Sequence, residues 1–417
     1  MTDLRVRDTG TNPELDELVV AYVSDARARE VPYEFYRRMV LENPVHWSPV
    51  LNMWLVFDYA SVSAVARDKR LSREQWNSSS YAGMENAGKA RRAVNGMVLF
   101  RDPPEHTRLR SFINRVFSNR AAEEKRSTFN HHINDLLDEL QTRESVEFVA
   151  EVGRVVPFMM ICDLIGLPND NVAKLQEWTD AYVSMLEVNI TPEMEAAADA
   201  RFDEFLEYLA PIIEDHRVHP RNDLLSDLVA AHLDGQLTAD ELGGYVLFLF
   251  VAGHETTTYI LANGLYILLQ HPDQWKLLAN DASLKVGAVE EILRCESTGR
   301  ALLPRWATED MQLEGRDIRK GDMVMAIEAA ANRDPAIFDD PDRFDIRRPN
   351  NRLHLSFGAG IHLCSGASLS RVEAQEVLST IAGRFPDVAV QAEVSWRPDW
   401  IVRAVERLPI ALSPAGT

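Results

Sequence analysis

Ser356 to Ala374 sets one cysteine, Cys364, among Gly358, Gly360 and Gly366. Glycine permits backbone conformations and close approaches that a Cβ resists, so several N–H groups can turn toward one sulfur. After it, Leu369, Val372, Val377, Leu378 and Ile381 follow a helical period, with Gly383 just past the predicted end. That places the sulfur at a helix N-terminus, where the dipole and unpaired N–H groups favour negative charge and predict a lowered thiol pKa. A thiolate with no second cysteine nearby suits haem iron better than zinc or an iron–sulfur cluster, which take several sulfurs. The plain alternative for an isolated cysteine is inert packing.

Ala252-Gly253-His254-Glu255-Thr256-Thr257 is a second reactive stretch, polar residues inside an otherwise apolar helical pattern. The pattern opens on a capping box, Thr238 to Glu241, and runs to Gln270, roughly 33 residues and about 50 Å of helix. Such a helix must be buried, and buried polar groups need partners or purposes. Ala252, Gly253 and Thr256 share a face, while Glu255 points elsewhere. A plain reading lets Thr256 bond back to the carbonyl four residues earlier and Glu255 face water. His254-Glu255 does not begin a zinc-protease motif, because Thr258 stands where a second histidine is needed. His106 and Arg110 are i, i+4 neighbours on a helix started by Asp102-Pro-Pro-Glu, and Glu291 with Arg294 is an i, i+3 pair. Alone, either pair reads as an ordinary helix face.

In combination these stretches resemble the cytochrome P450 family. Phe357, Gly360, His362, Cys364, Gly366, Leu369 and Arg371 stand at the spacing of its haem-binding loop, with Ser370 where many members carry alanine. Ala252 to Thr257 matches its oxygen-binding motif. Glu291 and Arg294 match its Glu-x-x-Arg, and Arg343 in Pro-Asp-Arg-Phe-Asp supplies the third member of a structural ion network. His106 and Arg110 resemble its propionate-binding pair, and Arg305 resembles its second propionate arginine, although Cys295 to Leu303 departs from the usual pattern. The resemblance implies a mainly α fold with small β-sheets, a long central helix over a haem held by the cysteine loop. It implies one domain over 1–417, with about 1–29 as an N-terminal extension. It implies haem b with Cys364 as axial thiolate, contacts from Phe357, Gly360, His362 and Ala252, and a proton relay through Glu255 and Thr256. The reaction implied is insertion of one oxygen atom from O2 into a small or medium lipophilic substrate. Electrons then come from NAD(P)H through ferredoxin and its reductase, since no flavin or dinucleotide fingerprint is present. A peroxide-using hydroxylase, a haem-thiolate isomerase, and a haem sensor or electron carrier are the competing readings; Glu255-Thr256 speaks against the first two.

Composition narrows the partners. Forty-six per cent hydrophobic and 26 per cent charged residues are ordinary globular values. A net charge of −20 and a pI near 5.0 argue against nucleic acid and anionic membrane surfaces. Three cysteines give no disulfide framework, the start lacks a signal-peptide pattern, and a monomeric cytoplasmic protein is expected. Against the overall charge, Arg101 to Arg126 holds seven basic and four acidic residues, a candidate dock for an acidic ferredoxin.

The positioning elements follow from periodicity. Residues 14 to 42 read as helix, Val45 to Asp58 as a hairpin around Asn52, and Ala60 to Arg67 as helix again. Gln75 to Gly96 reads as a long functional loop. Residues 130 to 232 read as amphipathic helices with Trp178, Tyr182 and Met185 in the core, Asp322 to Ile327 as a strand, and Val388 to Leu412 as strands. Arg300, in the unusual Ser-Thr-Gly-Arg segment, is a candidate clamp for an acidic substrate group, or else a solvent-facing or structurally paired residue.

Overall fold

Helix caps and tight turns set the boundaries of the elements that carry the site. The computed structural model describes residues 12–78, 87–169, 172–186 and 190–412. Its longest helix, Ala239–Gln270, begins at the predicted capping box: Thr238 accepts from the Glu241 N–H, and the Glu241 carboxylate accepts from the Thr238 N–H. It packs against Val155–Ile165, Lys285–Cys295 and Ala367–Arg384. At Gly253 a Cβ would stand 2.6 Å from Ile161 Cδ1, so the small residue is what lets these two helices meet. By length and composition it is the one helix among the described residues able to cross a membrane, yet 67% of its most apolar stretch is buried in the fold.

The hairpin forms as expected, Val45–Ser48 against Met53–Val56, with Asn52 at φ 52 in the left-handed region that Asn tolerates. Its second strand pairs parallel with Met323–Ala326, which pairs antiparallel with Arg305–Ala307, and Leu71–Ser72 closes the far edge. This five-stranded sheet delivers Arg305 and, one residue past the edge strand, Arg73. The tail forms short strands in two small sheets. Pro13–Ser24 packs onto the fold, with Leu15, Val19 and Tyr22 buried in one cluster with Tyr36, Met39 and Phe57.

Two expectations need correcting here. The stretch from Gln75 to Gly96 is not all loop. It contains a turn of 3-10 helix, Gln75–Asn77, and a helix, Lys89–Asn95; its residues 79–86 lie outside those described. That helix starts without a local cap because the Gly88 and Ala90 N–H groups donate to Glu195 and Asp199, each at 2.8 Å, from a distant helix. Gly383 also does not end the helix after the cysteine, which continues to Arg384. Trp178, Tyr182 and Met185 are buried as expected.

Candidate active site

The cysteine loop is shaped by its glycines. Gly358 and Gly360 have φ of +70 and +72, and a Cβ on Gly360 would lie 2.7 Å from the Ala66 carbonyl oxygen. The Cys364 N–H donates to Phe357 O at 2.9 Å, and the following helix starts at Ala367, three residues on. Cys364 is exposed, whereas Cys162 and Cys295 are buried. The lowered thiol pKa is not found. Protein packed around the sulfur pushes the thiol up, against the opposing pull of the Gly366 N–H, Arg110 and Arg371.

Beside the loop lies a cluster of basic groups. His106 and His362 meet edge to face with ring centroids 4.5 Å apart. Arg110 Nη2 donates to Leu363 O at 2.8 Å, and Arg305 donates to the Leu71 and Ala66 carbonyls, each at 3.0 Å. Arg73, which sequence reasoning missed, is buried among them. Burial, then Arg73, Arg305, His106 and Arg110, drive His362 down to about 2; burial and Arg305 lower Arg73 to about 9. His106 Nε2, His362 Nε2 and Arg305 Nε are buried without a hydrogen-bond partner among the described residues. Unpartnered buried nitrogens, the Arg305 Nε–H donor among them, amid the positive charge of Arg73, Arg110 and Arg305 fit a ligand bearing carboxylates, as haem does.

On the long helix, Ala252 and Thr256 are exposed although their neighbours toward both helix ends are buried. Thr256 Oγ1 donates to Ala252 O at 2.7 Å, so the back-bond of the plain reading is present and the exposed hydroxyl oxygen remains free to accept. Glu255 does not simply face water. Its Oε1 accepts from Tyr259 Oη at 2.9 Å and from Arg397 Nη1 at 2.9 Å, and Arg397 Nη1 also reaches Tyr259 Oη at 2.7 Å. Thr257 Oγ1 lies 3.2 Å from Ser370 Oγ, tying this helix to the one after the cysteine. His254 is buried against Phe158 and Phe250, its pKa lowered to about 4 by burial, so it is a neutral core residue.

The ion network is present with a different third member. Arg294 forks onto Glu291 at 2.8 and 2.9 Å, both side chains fully buried. Arg348, not Arg343, completes it, donating to Glu291 Oε1 at 3.0 Å. Arg343 contributes only its backbone carbonyl, which accepts from Arg294; its side chain is 64% exposed and pairs with Asp345. A second buried brace was also missed: Glu290 accepts from Arg371 and His354, and the Arg371 guanidinium lies 4.5 Å from the Phe357 ring centroid.

Two further candidates change. Arg300 is not exposed and has no salt bridge among the described residues: it is buried with its guanidinium 5.9 Å from the Tyr22 ring centroid. The basic excess between Arg101 and Arg126 is largely cancelled in space. Arg108 pairs with Glu105 and Glu241, Arg115 with Asp227, Arg120 with Glu124, and Arg126 with Glu123 and Glu376.

The sequence profile of the family described as Cytochrome P450 matches residues 52–394. The chain is 33% identical to the polyketide biosynthesis cytochrome P450 PksS of Bacillus subtilis over 92% of its length and 96% of that protein's. It is 37% identical to the cytochrome P450 monooxygenase PikC of Streptomyces venezuelae, over 91% and 90%. The crystal structure of P450BioI in complex with an acyl carrier protein ligated to hexadec-9Z-enoic acid superposes with a TM-score of 0.85 at 31% identity, covering 93% of this chain and 100% of that one. With a glycine-shaped cysteine loop, a basic cluster beside it and an Ala-Gly-His-Glu-Thr-Thr helix, the chain belongs to the cytochrome P450 family and is a P450 monooxygenase.

Proposed function

We propose that this protein inserts one oxygen atom from O2 into a lipophilic organic substrate, with haem b held through Cys364 and protons supplied through Glu255 and Thr256. The observation that carries the reading is Cys364, an exposed thiol in a loop bent by two positive-φ glycines, beside a basic cluster with unpartnered buried nitrogens. When bound, haem supplies the activation of O2 and the electron-rich thiolate ligation that favours O–O cleavage.

The chain's own residues do the rest. His106, Arg110, Arg305 and His362 would hold the carboxylates of the haem, and Phe357, Gly360 and Ala252 would pack against it. Thr256 keeps a hydroxyl oxygen open because its hydrogen is committed to Ala252 O, and that oxygen orders a water or a proton donor. Glu255, part-exposed, collects protons from the solvent side. Partly buried Leu99, Val251, Leu302 and Leu303 give the neighbourhood an apolar character that suits a lipophilic substrate. The name of PksS and the acyl ligand of the P450BioI complex are in keeping with a substrate of polyketide or acyl type.

The chain acts as a single cytoplasmic unit, a monomer reduced by NAD(P)H through a ferredoxin-type partner. Exposed Ile361 and Leu363 at the outer edge of the cysteine loop support a docking face there better than the self-paired arginines do. The test is Thr256→Ala, scored as NADH consumed, product formed and hydrogen peroxide released. The expected result is lower product per NADH with more peroxide; unchanged yield without extra peroxide removes the relay and favours the peroxide-driven reading.

A further inference from the structure

Arg73 follows the edge strand Leu71–Ser72, whose pairing with Arg305–Ala307 brings two arginines into one corner of the sheet. It is 5% exposed. Its N–H donates to Asp102 Oδ1 at 3.2 Å, its Nε to Leu99 O at 3.2 Å, and its Nη1 to Leu303 O. Nη2 donates to no protein atom among the described residues. The guanidinium is therefore fixed in place by the carbonyls of Leu99 on one segment and of Leu303 and Pro304 on another, with one nitrogen uncommitted.

The charge balance of this corner depends on it. Counting groups charged at neutral pH, Arg73, Arg110 and Arg305 all act on His362, and Asp102 is the acid among them; Glu74 and Arg101, both beside Asp102, offset one another, and Asp68, which also acts on Arg305, is paired with Arg70 at 2.6 Å. Three positive charges less one negative leave two, the charge that the two carboxylates of haem b cancel. Without Arg73 the surplus is one. Arg305 is also poorly placed to serve two carboxylates, since both its terminal nitrogens already donate to Leu71 and Ala66. A buried guanidinium left uncancelled is costly, whereas one facing a carboxylate makes a strong charge-assisted bond.

We propose that Arg73 is a third guanidinium holding the haem propionates, and that its charge raises the reduction potential of the bound haem. This rests on the reading that haem sits at Cys364. A nearby cation favours the reduced, less positive iron, so removing it lowers the potential. The experiment compares wild type, Arg73→Gln, Arg73→Lys and Arg110→Gln by the rate of haem transfer to excess apomyoglobin and by equilibrium redox titration. Arg73→Gln is expected to lose haem several-fold faster and titrate at lower potential; Arg73→Lys keeps the charge and a potential near wild type. Asp102→Asn, which adds to the surplus, is expected to shift the potential upward, and decides the matter if Arg73→Gln does not accumulate. Wild-type haem loss and potential in Arg73→Gln, or in its stead an unshifted Asp102→Asn, with both quantities altered in Arg110→Gln, overturn the role of Arg73 alone. If none of these variants alters either quantity, the propionate reading of the whole cluster fails with it.

Discussion

Replacing Glu290 by glutamine removes the carboxylate that holds Arg371 and His354 behind the cysteine loop. Glu290 is 3% exposed and accepts from Arg371 Nε at 2.7 Å, Arg371 Nη2 at 3.1 Å and His354 Nε2 at 3.0 Å. Arg371 in turn covers the ring of Phe357, whose carbonyl accepts the Cys364 N–H. Burial works to raise the carboxyl, but hydrogen bonds from His354 and Arg371 and the Arg371 charge outweigh it and bring it from 4.5 to about 2. A shift of that size corresponds to about 3 kcal/mol of folding stability at neutral pH, a substantial part of a typical total of roughly 5–15. Because the folded value is depressed, the contribution is complete above the unfolded value of 4.5 and is lost as pH falls toward 2. Denaturant unfolding of wild type and Glu290→Gln across this range reads the difference directly. The gap is expected to be about 3 kcal/mol at pH 7 and to narrow steadily below pH of about 4.5. A gap that stays constant down to about pH 3, or no gap at pH 7, refutes the assignment of that stability to an ionised Glu290.

The revised ion network makes a paired prediction. Arg348→Ala strips a donor from fully buried Glu291 and is expected to cost several times more stability than Arg343→Ala, whose exposed side chain should matter by about 0.5 kcal/mol or less; thermal unfolding of both variants checks the order. Arg397→Gln breaks a part-exposed ion pair and so should change stability by less than about 1 kcal/mol. If Glu255 carries protons, the same variant alters product formed per NADH, while equal yield would separate the pair from the chemistry.

Much of this was legible because it was local. The capping box at Thr238 and Glu241, the turn at Asn52 and the glycines around Cys364 each encode their geometry within a few residues. What stayed hidden depends on partners far along the chain. The helix Lys89–Asn95 is capped by Glu195 and Asp199, more than a hundred residues away, so its own sequence reads as loop. The arginines after Arg101 read as a basic patch until Asp227, Glu241 and Glu376 arrive to neutralise them. Arg343 and Arg348 are both arginines near one turn, and only packing decides which reaches Glu291. Arg73 had no signal of its own, since its place beside Arg305 follows from strand pairing across more than two hundred residues. The expected fall in the Cys364 pKa failed for a related reason, because packing around the sulfur outweighs the nearby N–H.

The most direct measurement is the Soret position of the reduced, carbon monoxide-bound protein for wild type and the three single cysteine variants. A thiolate-type band in wild type, lost in Cys364→Ala and kept in Cys162→Ala and Cys295→Ala, is the predicted result. A Cys364→Ala protein that retains the wild-type band contradicts the account at its centre.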